Sequence, residues 1–327
     1  MSEPLTVAVT GPTGELGRAF LRALDRRRDV ARVLGMARRP FDPAELGLRR
    51  TEYRQGDVLD RGALDALVEE ADVLVHLAFI ILGGHSETRR VNLVGSRNAF
   101  AAAVAARRVK RLVYTSSVAA YGFHPNNPQP LTEDVPVRDT NHFYYSTQKT
   151  ELKKTLHDET VGADLETYVL RPCIVAGPDA LMLIRELPQV AAPGLVRRVL
   201  PPVLPNPGVP LQLVHHDDVA SALVAATRGA GAPGAYNLAG DGTITLGDLA
   251  SALGWHSVPV PQPLVAAAAL GASLPLVPSQ AQWVTAGRVP VVMDTAKARR
   301  ELRWRPRHDT RDVLELTVAA AREQGLV

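Results

Sequence analysis

Residues 10–17 read Thr10-Gly11-Pro12-Thr13-Gly14-Glu15-Leu16-Gly17 and follow directly on the apolar run Leu5-Thr6-Val7-Ala8-Val9. The residues beyond carry Leu16, Phe20 and Leu24 at helical spacing, so the pattern predicts a buried strand, a tight turn and a helix. Each glycine has a physical use in such a unit. Gly11 permits the turn, Gly14 lets the backbone approach a pyrophosphate, and Gly17 lets the helix pack close to the sheet. The unpaired N–H groups at the helix start then face the anion. This unit commits the chain to an α/β architecture and predicts a bound dinucleotide.

The chain has 327 residues, enough for one large α/β domain with a smaller companion. Hydrophobic residues make up 46% and charged residues 22%, as in soluble globular proteins. The net charge of +3 is small, and clusters such as Arg26-Arg27-Arg28 read as a solvated helix end, so no nucleic-acid partner is expected. A single cysteine, Cys173, excludes an internal disulfide and suits a reducing, cytoplasmic compartment. The N-terminal residues run straight into the first strand, with no signal-peptide pattern. The longest apolar stretch, 264–277, is too short to span a bilayer and predicts a buried or pocket-lining helix.

Strand signals near Val7, Val33, Tyr53, Val73, Leu112 and Thr167 alternate with helical signals over 61–69, 89–106 and 145–160. This alternation predicts a doubly wound parallel sheet. The character changes after Arg171-Pro172, where prolines become dense through Pro210. The expected division is a dinucleotide-binding domain over 1–175, with returns at 211–240. The remainder, 176–210 and 241–327, forms a smaller, discontinuous substrate-binding part.

Two clusters carry chemistry. In Tyr114-Thr115-Ser116-Ser117 a strand ends in hydroxyl residues, at the sheet edge where doubly wound folds bind ligands. In Tyr145-Ser146-Thr147-Gln148-Lys149 a phenol and an ammonium stand four residues apart on one helical face. A nearby ammonium favours the phenolate, so Lys149 is expected to lower the Tyr145 pKa and fit it for proton exchange with a carbonyl or alcohol. Ser117 is placed to hold the same oxygen. Tyr144 is not the partner, because Gln148 stands four residues beyond it.

The glycine spacing, Ser117 and the Tyr145/Lys149 pair, in that order, resemble the extended short-chain dehydrogenase/reductases of the NAD-dependent epimerase/dehydratase type. The resemblance covers nearly the whole chain and implies a Rossmann sheet and a nicotinamide cofactor. It gives Ser117, Tyr145 and Lys149 the catalytic roles, with Tyr145 and Lys149 also at the cofactor. Cofactor contacts are implied at Gly11, Thr13, Gly14, Glu15, Leu16 and Gly17, at Asp57 and Val58, at Leu77 and Ala78 after the strand carrying His76, and at Asn92. It also implies a homodimer through helices near 96–106 and 145–160, the first carrying Phe100 and Val104. Later similar stretches are Leu170-Arg171-Pro172-Cys173, His215-His216-Asp217-Asp218 and Tyr236-Asn237-Leu238. The two histidines and two aspartates are not expected to hold a metal, and His76 is expected to be a satisfied strand histidine.

Three departures bear on the ligands. The second strand ends Met36-Ala37-Arg38-Arg39, with two cations where an acid would hold the adenosine ribose, which favours NADP over NAD. Ile174 and Leu211 stand where sugar-nucleotide members place polar groups. The loop 79–84, starting at Phe79, is apolar. Phe79, Ile174 and Leu211 therefore predict a largely apolar substrate, because a diphosphate without polar partners is costly to bury. The leading expectation is an oxidoreductase acting on a carbonyl/alcohol pair. A nucleotide-sugar epimerase or dehydratase, and a cofactor-sensing protein without turnover, are the alternatives.

Overall fold

The computed structural model describes residues 3–82, 85–140, 143–191, 201–272 and 279–327. The strands are β1 (Leu5–Thr10), β2 (Val30–Ala37), β3 (Thr51–Gln55), β4 (Val73–His76), β5 (Arg111–Thr115), β6 (Glu166–Pro172), β7 (Ile174–Ala176), β8 (Val203–Asn206), β9 (Leu213–His215), β10 (Gly234–Leu238) and β11 (His256–Pro259). Seven of them form one sheet in the order β10-β6-β5-β4-β1-β2-β3, and every pairing in it is parallel. Val7, Ala8 and Val9 are fully buried, as the central strand of a sheet covered on both faces requires.

The helices Glu15–Asp25 and His216–Thr227 cover one face of the sheet, around Phe20, Leu24, Val75, Leu170 and Leu223. Arg61–Val68, Ser96–Ala105 and Tyr144–Thr160 cover the other, around Leu34, Leu64, Phe100 and Leu152. Strand order reverses between β1 and β4, so the crevice at their carboxyl ends is the place where such sheets bind ligands.

The smaller part has its own core. It joins Leu181, Ile184, Leu213, Leu249, Val313 and Leu314. The helices Leu246–Leu253 and Thr310–Glu323 each open with a reciprocal capping box, Thr245 with Asp248 and Asp309 with Asp312. Only β10 of the expected 211–240 return joins the main sheet. β9 pairs instead with β7 in a separate parallel ladder, and β8 pairs with β11.

Three expectations are adjusted here. The single helix over 89–106 is interrupted: a π-helical stretch spans Arg90–Gly95 before Ser96–Ala105 continues. Phe100 is fully buried and packs edge-on against His76 and Tyr114, so it is a core residue and not an interface residue. Val94 and Val104 are the exposed apolar residues of this region. The helix Gln262–Ala272 is not wholly buried either. Val265 and Ala269 face inward, whereas Leu264 and Leu270 are exposed. The rest of the 264–277 stretch, and Gly83 and Gly84 of the apolar loop, lie outside the described residues. No helix among the described residues is long and apolar enough to cross a membrane.

Candidate active site

The glycine turn has the shape its spacing predicts. Gly11 adopts φ +73°, and a Cβ there would lie 2.8 Å from the Ala78 nitrogen. The loop after β4 therefore crosses directly over the turn, with Leu77 N–H donating to the Thr10 carbonyl at 3.1 Å. A Cβ on Gly14 would meet nothing nearer than the Gly11 carbonyl at 3.6 Å, so the space above Gly14 is open. No side chain caps the helix Glu15–Asp25. An open cradle beside uncapped helical N–H groups fits a pyrophosphate. Gly17 differs from expectation. Its missing Cβ makes room for the turn itself, at 2.3 Å from the Gly11 carbonyl, and not for the sheet.

The other residues of the implied cofactor set fall in several environments. Thr13 accepts from Arg18 Nε at 3.2 Å through its carbonyl, and Leu16 packs into the core beneath the turn. Glu15 accepts the Leu181 N–H at 3.2 Å and ties the turn to the smaller part. Burial raises its carboxyl above the ordinary value. Asp57 accepts from Leu59 N–H at 3.0 Å, and Val58 is buried against Gly95. Arg38 and Arg39 are exposed at the end of β2, with Arg38 3.5 Å from Glu87.

Asn92 acts as a brace beside the site. It is fully buried in the π-helical stretch. Its Oδ1 accepts from Ile80 N–H at 2.7 Å, and its Nδ2 donates to the Ile80 carbonyl at 2.8 Å and to Gln148 Oε1 at 2.7 Å. One amide thus fixes the 77–82 loop to the helix that carries Tyr145. His76, likewise buried, bonds Thr10 through Nδ1 at 2.7 Å and Ser96 through Nε2 at 2.9 Å, and burial holds its pKa down to about 3.

Ser117, Tyr145 and Lys149 converge at the carboxyl end of β5. Ser117 caps the short turn that follows, accepting from Ala119 N–H at 3.2 Å, and hydrogen-bonds the Tyr145 phenol. The expected tuning of Tyr145 by Lys149 is not what this arrangement produces. Lys149 Nζ donates to the Thr115 carbonyl at 3.2 Å and to the Tyr114 hydroxyl at 3.5 Å, and it lies 5.8 Å from the Tyr145 ring centre. Burial pushes Tyr145 up to about 12, with the Ser117 bond acting against it. Burial lowers Lys149 to about 7. Desolvation disfavours the charged form of each, and it outweighs their mutual attraction at this separation. The face of Phe79, 3.6 Å from Nζ, supplies a compensating attraction for the ammonium.

The buried ammonium makes stability depend on pH. The folded state holds Lys149 below its unfolded value of 10.5, so between about pH 7 and 10 the unfolded chain binds the extra proton. Stability from this group rises with pH across that window, by up to about 1.4 kcal/mol per pH unit. Comparing denaturant unfolding of the parent and Lys149→Met at pH 7 and pH 9 checks this: the difference between them should shift toward the parent at high pH. A pH-independent difference would refute it.

An aromatic enclosure surrounds Tyr145, and sequence reasoning found only one of its members, Phe79. Phe79 meets the Tyr145 ring edge-on at 5.7 Å, and Trp283 lies tilted on it at 5.2 Å. Phe143 touches Trp283 at 5.1 Å and Phe123 at 5.5 Å. Tyr144 locks the enclosure. Its hydroxyl donates to the Ile81 carbonyl at 2.6 Å and accepts from Trp283 Nε1 at 3.4 Å, and its N–H donates to Gln282 at 2.9 Å. Trp283 stands far from Tyr145 in the chain, in no motif, so only folding brings it here. Ile174 and Leu211 pack elsewhere, on the core of the smaller part. Gln212 is committed to the Met293 backbone through both amide ends, at 2.8 and 3.3 Å.

His215, His216 and Asp217 bring possible ligand atoms within 4.8 Å of one another. His216 is engaged at both ring nitrogens, by Asp179 N–H at 3.3 Å and Asp217 at 3.1 Å. Asp218 accepts from Arg307 and His308 N–H groups and so anchors the C-terminal part of the chain to the sheet. Cys173 is buried, which pushes its thiol up and away from nucleophilic use.

Known proteins resemble this chain in sequence and in fold. The chain is 28% identical to the uncharacterised protein Rv0501 of Mycobacterium tuberculosis over 327 residues, covering 94% of this chain and 81% of that one. It is 32% identical over 223 residues to a ceramide reductase of Caulobacter vibrioides, covering 68% of this chain and 61% of the relative. Among solved structures, Gox2253 superposes with a TM-score of 0.77 at 24% identity, covering 98% of this chain and 99% of that one. The NAD complex of Bordetella bronchiseptica WbmG superposes with a TM-score of 0.74 at 19% identity, covering 100% and 96%. These superpositions match the fold. The model of the NAD dependent epimerase/dehydratase family matches residues 7–239, which hold the glycine turn, Ser117, Tyr145 and Lys149, and the chain belongs to that family.

Proposed function

We propose that this chain is an NAD(P)-dependent oxidoreductase that moves hydride between a nicotinamide cofactor and the carbonyl/alcohol group of a largely apolar substrate. The observation that carries the reading is the aromatic enclosure of Tyr145 by Phe79, Phe143 and Trp283. A site walled this way favours ligands that gain from desolvation. The glycine turn would hold the pyrophosphate of a bound nicotinamide cofactor, with Lys149 and Tyr145 toward its nicotinamide end, and the cofactor would supply or accept the hydride. The protein's own part is the proton. Tyr145 keeps its phenolic hydrogen at neutral pH and donates it to the substrate oxygen, while Ser117 orients that oxygen. The substrates named for some relatives agree in kind: ceramide, and a 2-alkyl-3-oxoalkanoate for a reductase of Stenotrophomonas maltophilia at 28% identity over 199 residues.

The test is NADPH oxidation against a panel of hydrophobic ketones, run beside calorimetry with UDP and dTDP. Ketone reduction without micromolar nucleotide binding is the expected result. Micromolar UDP or dTDP binding without ketone reduction would return the chain to the epimerase reading. That reading is supported by the family model itself and by epimerases that share the fold, among them those of Methanobrevibacter ruminantium and Thermotoga maritima at TM-scores of 0.74 and 0.73. The same titrations address the cofactor. Arg38 and Arg39 favour NADP through the 2′-phosphate, because the Arg38–Glu87 pair is exposed and easily exchanged. Arg38→Ala is expected to weaken NADPH by about tenfold and leave NADH unchanged, the size of one charge-assisted contact. Tighter NADH binding, indifferent to Arg38→Ala, would overturn the preference.

A homodimer through the helices Ser96–Ala105 and Tyr144–Thr160 completes the proposal, with exposed Val94 and Val104 in place of Phe100 at the contact. Light scattering at micromolar concentration should give twice the chain mass, and Val104→Glu should lower it. Monomer mass for the parent would refute the dimer.

A further inference from the structure

We propose that the cavity between the Tyr144–Thr160 helix and strands β6 and β10 is a binding site for a small anion bearing a phosphate or carboxylate group. The cavity has a volume of about 230 Å³. That space accommodates an anion of phosphate size. Arg171 of β6, Lys153 and His157 of the helix, and the hydroxyls of Ser116, Thr160 and Thr167 line it, and among the described residues no aspartate or glutamate does.

Arg171 supplies the main argument. It is 6% exposed. One guanidinium nitrogen donates to the Tyr121 hydroxyl at 2.7 Å, and the group lies over that ring at 4.8 Å. Its Nε is buried without a partner, and among the described residues no carboxylate pairs with it within ion-pair distance. Glu133 attracts it only at longer range and is engaged with Asn237 N–H. A buried guanidinium with an unmet N–H and no carboxylate in direct contact is costly unless something accepts from it. An oxyanion in the cavity does so, and the planar fork of arginine matches phosphate and carboxylate oxygens. Lys153 at the exposed rim adds charge of the same sign, and His157, one helical turn on, offers a ring nitrogen.

None of these three side chains has a part in the proposed hydride transfer. The cavity nevertheless adjoins it. Ser116 stands between Thr115, whose carbonyl holds Lys149, and Ser117.

The test is isothermal titration of the full chain with inorganic phosphate and with malonate, using sodium chloride at matched ionic strength as control. Arg171 replacement would also break the Tyr121 contact and risk unfolding, so the rim carries the test. Phosphate or malonate is expected to bind at about 1 mM or tighter, and the double variant K153A/H157A to bind at least tenfold more weakly. Whichever anion binds more tightly identifies the preferred group. Saturating NADPH should leave this binding in place, because the glycine turn is a separate site. The proposal fails if neither anion binds below about 10 mM. It also fails if the double variant keeps the parent affinity, or if NADPH displaces the anion.

Discussion

Tyr145→Phe is expected to lower turnover by about a hundredfold or more while leaving NADPH affinity within a factor of about two, the pattern for losing a general acid. The fold tolerates the change. The hydroxyl is the only group removed, and the ring contacts to Phe79, Phe143 and Trp283 stay in place. Ser117 loses its hydrogen-bond partner but remains bound to Ala119 N–H. Steady-state rates with the best ketone, beside cofactor titration, check this. A variant that turns over at near the parent rate would remove Tyr145 from the chemistry. Because burial keeps the Tyr145 hydroxyl protonated far above neutral pH, the reductive rate of the parent should show no loss from this group between about pH 6 and 9.

Gly17→Ala is expected to destabilise the protein by about 2 kcal/mol or more and to abolish measurable dinucleotide binding. The sign is the informative part. Gly17 is helical, and alanine at an unconstrained helical position is more stable than glycine by about 1 kcal/mol. Here the added methyl would meet the Gly11 carbonyl at 2.3 Å and Pro12 backbone atoms at 2.7 and 2.8 Å. Those atoms are the cofactor turn, and Gly11 is itself pressed against Ala78, so the turn has no room to retreat. Denaturant unfolding and NADPH titration check both halves. A stabilised variant that binds NADPH normally would show that the turn is more yielding than its geometry indicates.

The local devices are legible in the sequence. The strand–turn–helix at 5–25, the strands through β6, and the Tyr145/Lys149 pair on one helical face all follow from short-range patterns: glycine spacing, apolar alternation and the i, i+4 rule; the approach of Ser117 to that pair is implied by the family resemblance. The interruption of the helix at Arg90–Gly95 is not legible there. Within it Asn92 is turned inward and holds Ile80 and Gln148, partners that lie far from it in the chain. Nor does the sequence tell Phe100 from an interface residue, since a helix apolar on two faces does not say which one meets the sheet.

The largest gap concerns the substrate wall. Ile174 and Leu211 hold motif positions that point to the substrate, yet they pack on the core of the smaller part. Trp283 closes over Tyr145 from a segment with no motif at all. The charge states follow the same division. Tyr and Lys four apart imply a tuned phenol, but the tertiary structure buries both and directs Lys149 to Thr115 and Tyr114. The sequence alone determined the sheet class, the glycine turn and the Tyr145/Lys149 spacing, because turn geometry and helical periodicity act over a few residues, and by resemblance it proposed the trio of Ser117, Tyr145 and Lys149. Only the tertiary structure decided what surrounds the trio and how its groups ionise, because burial and solvation depend on atoms that folding brings together from distant parts of the chain.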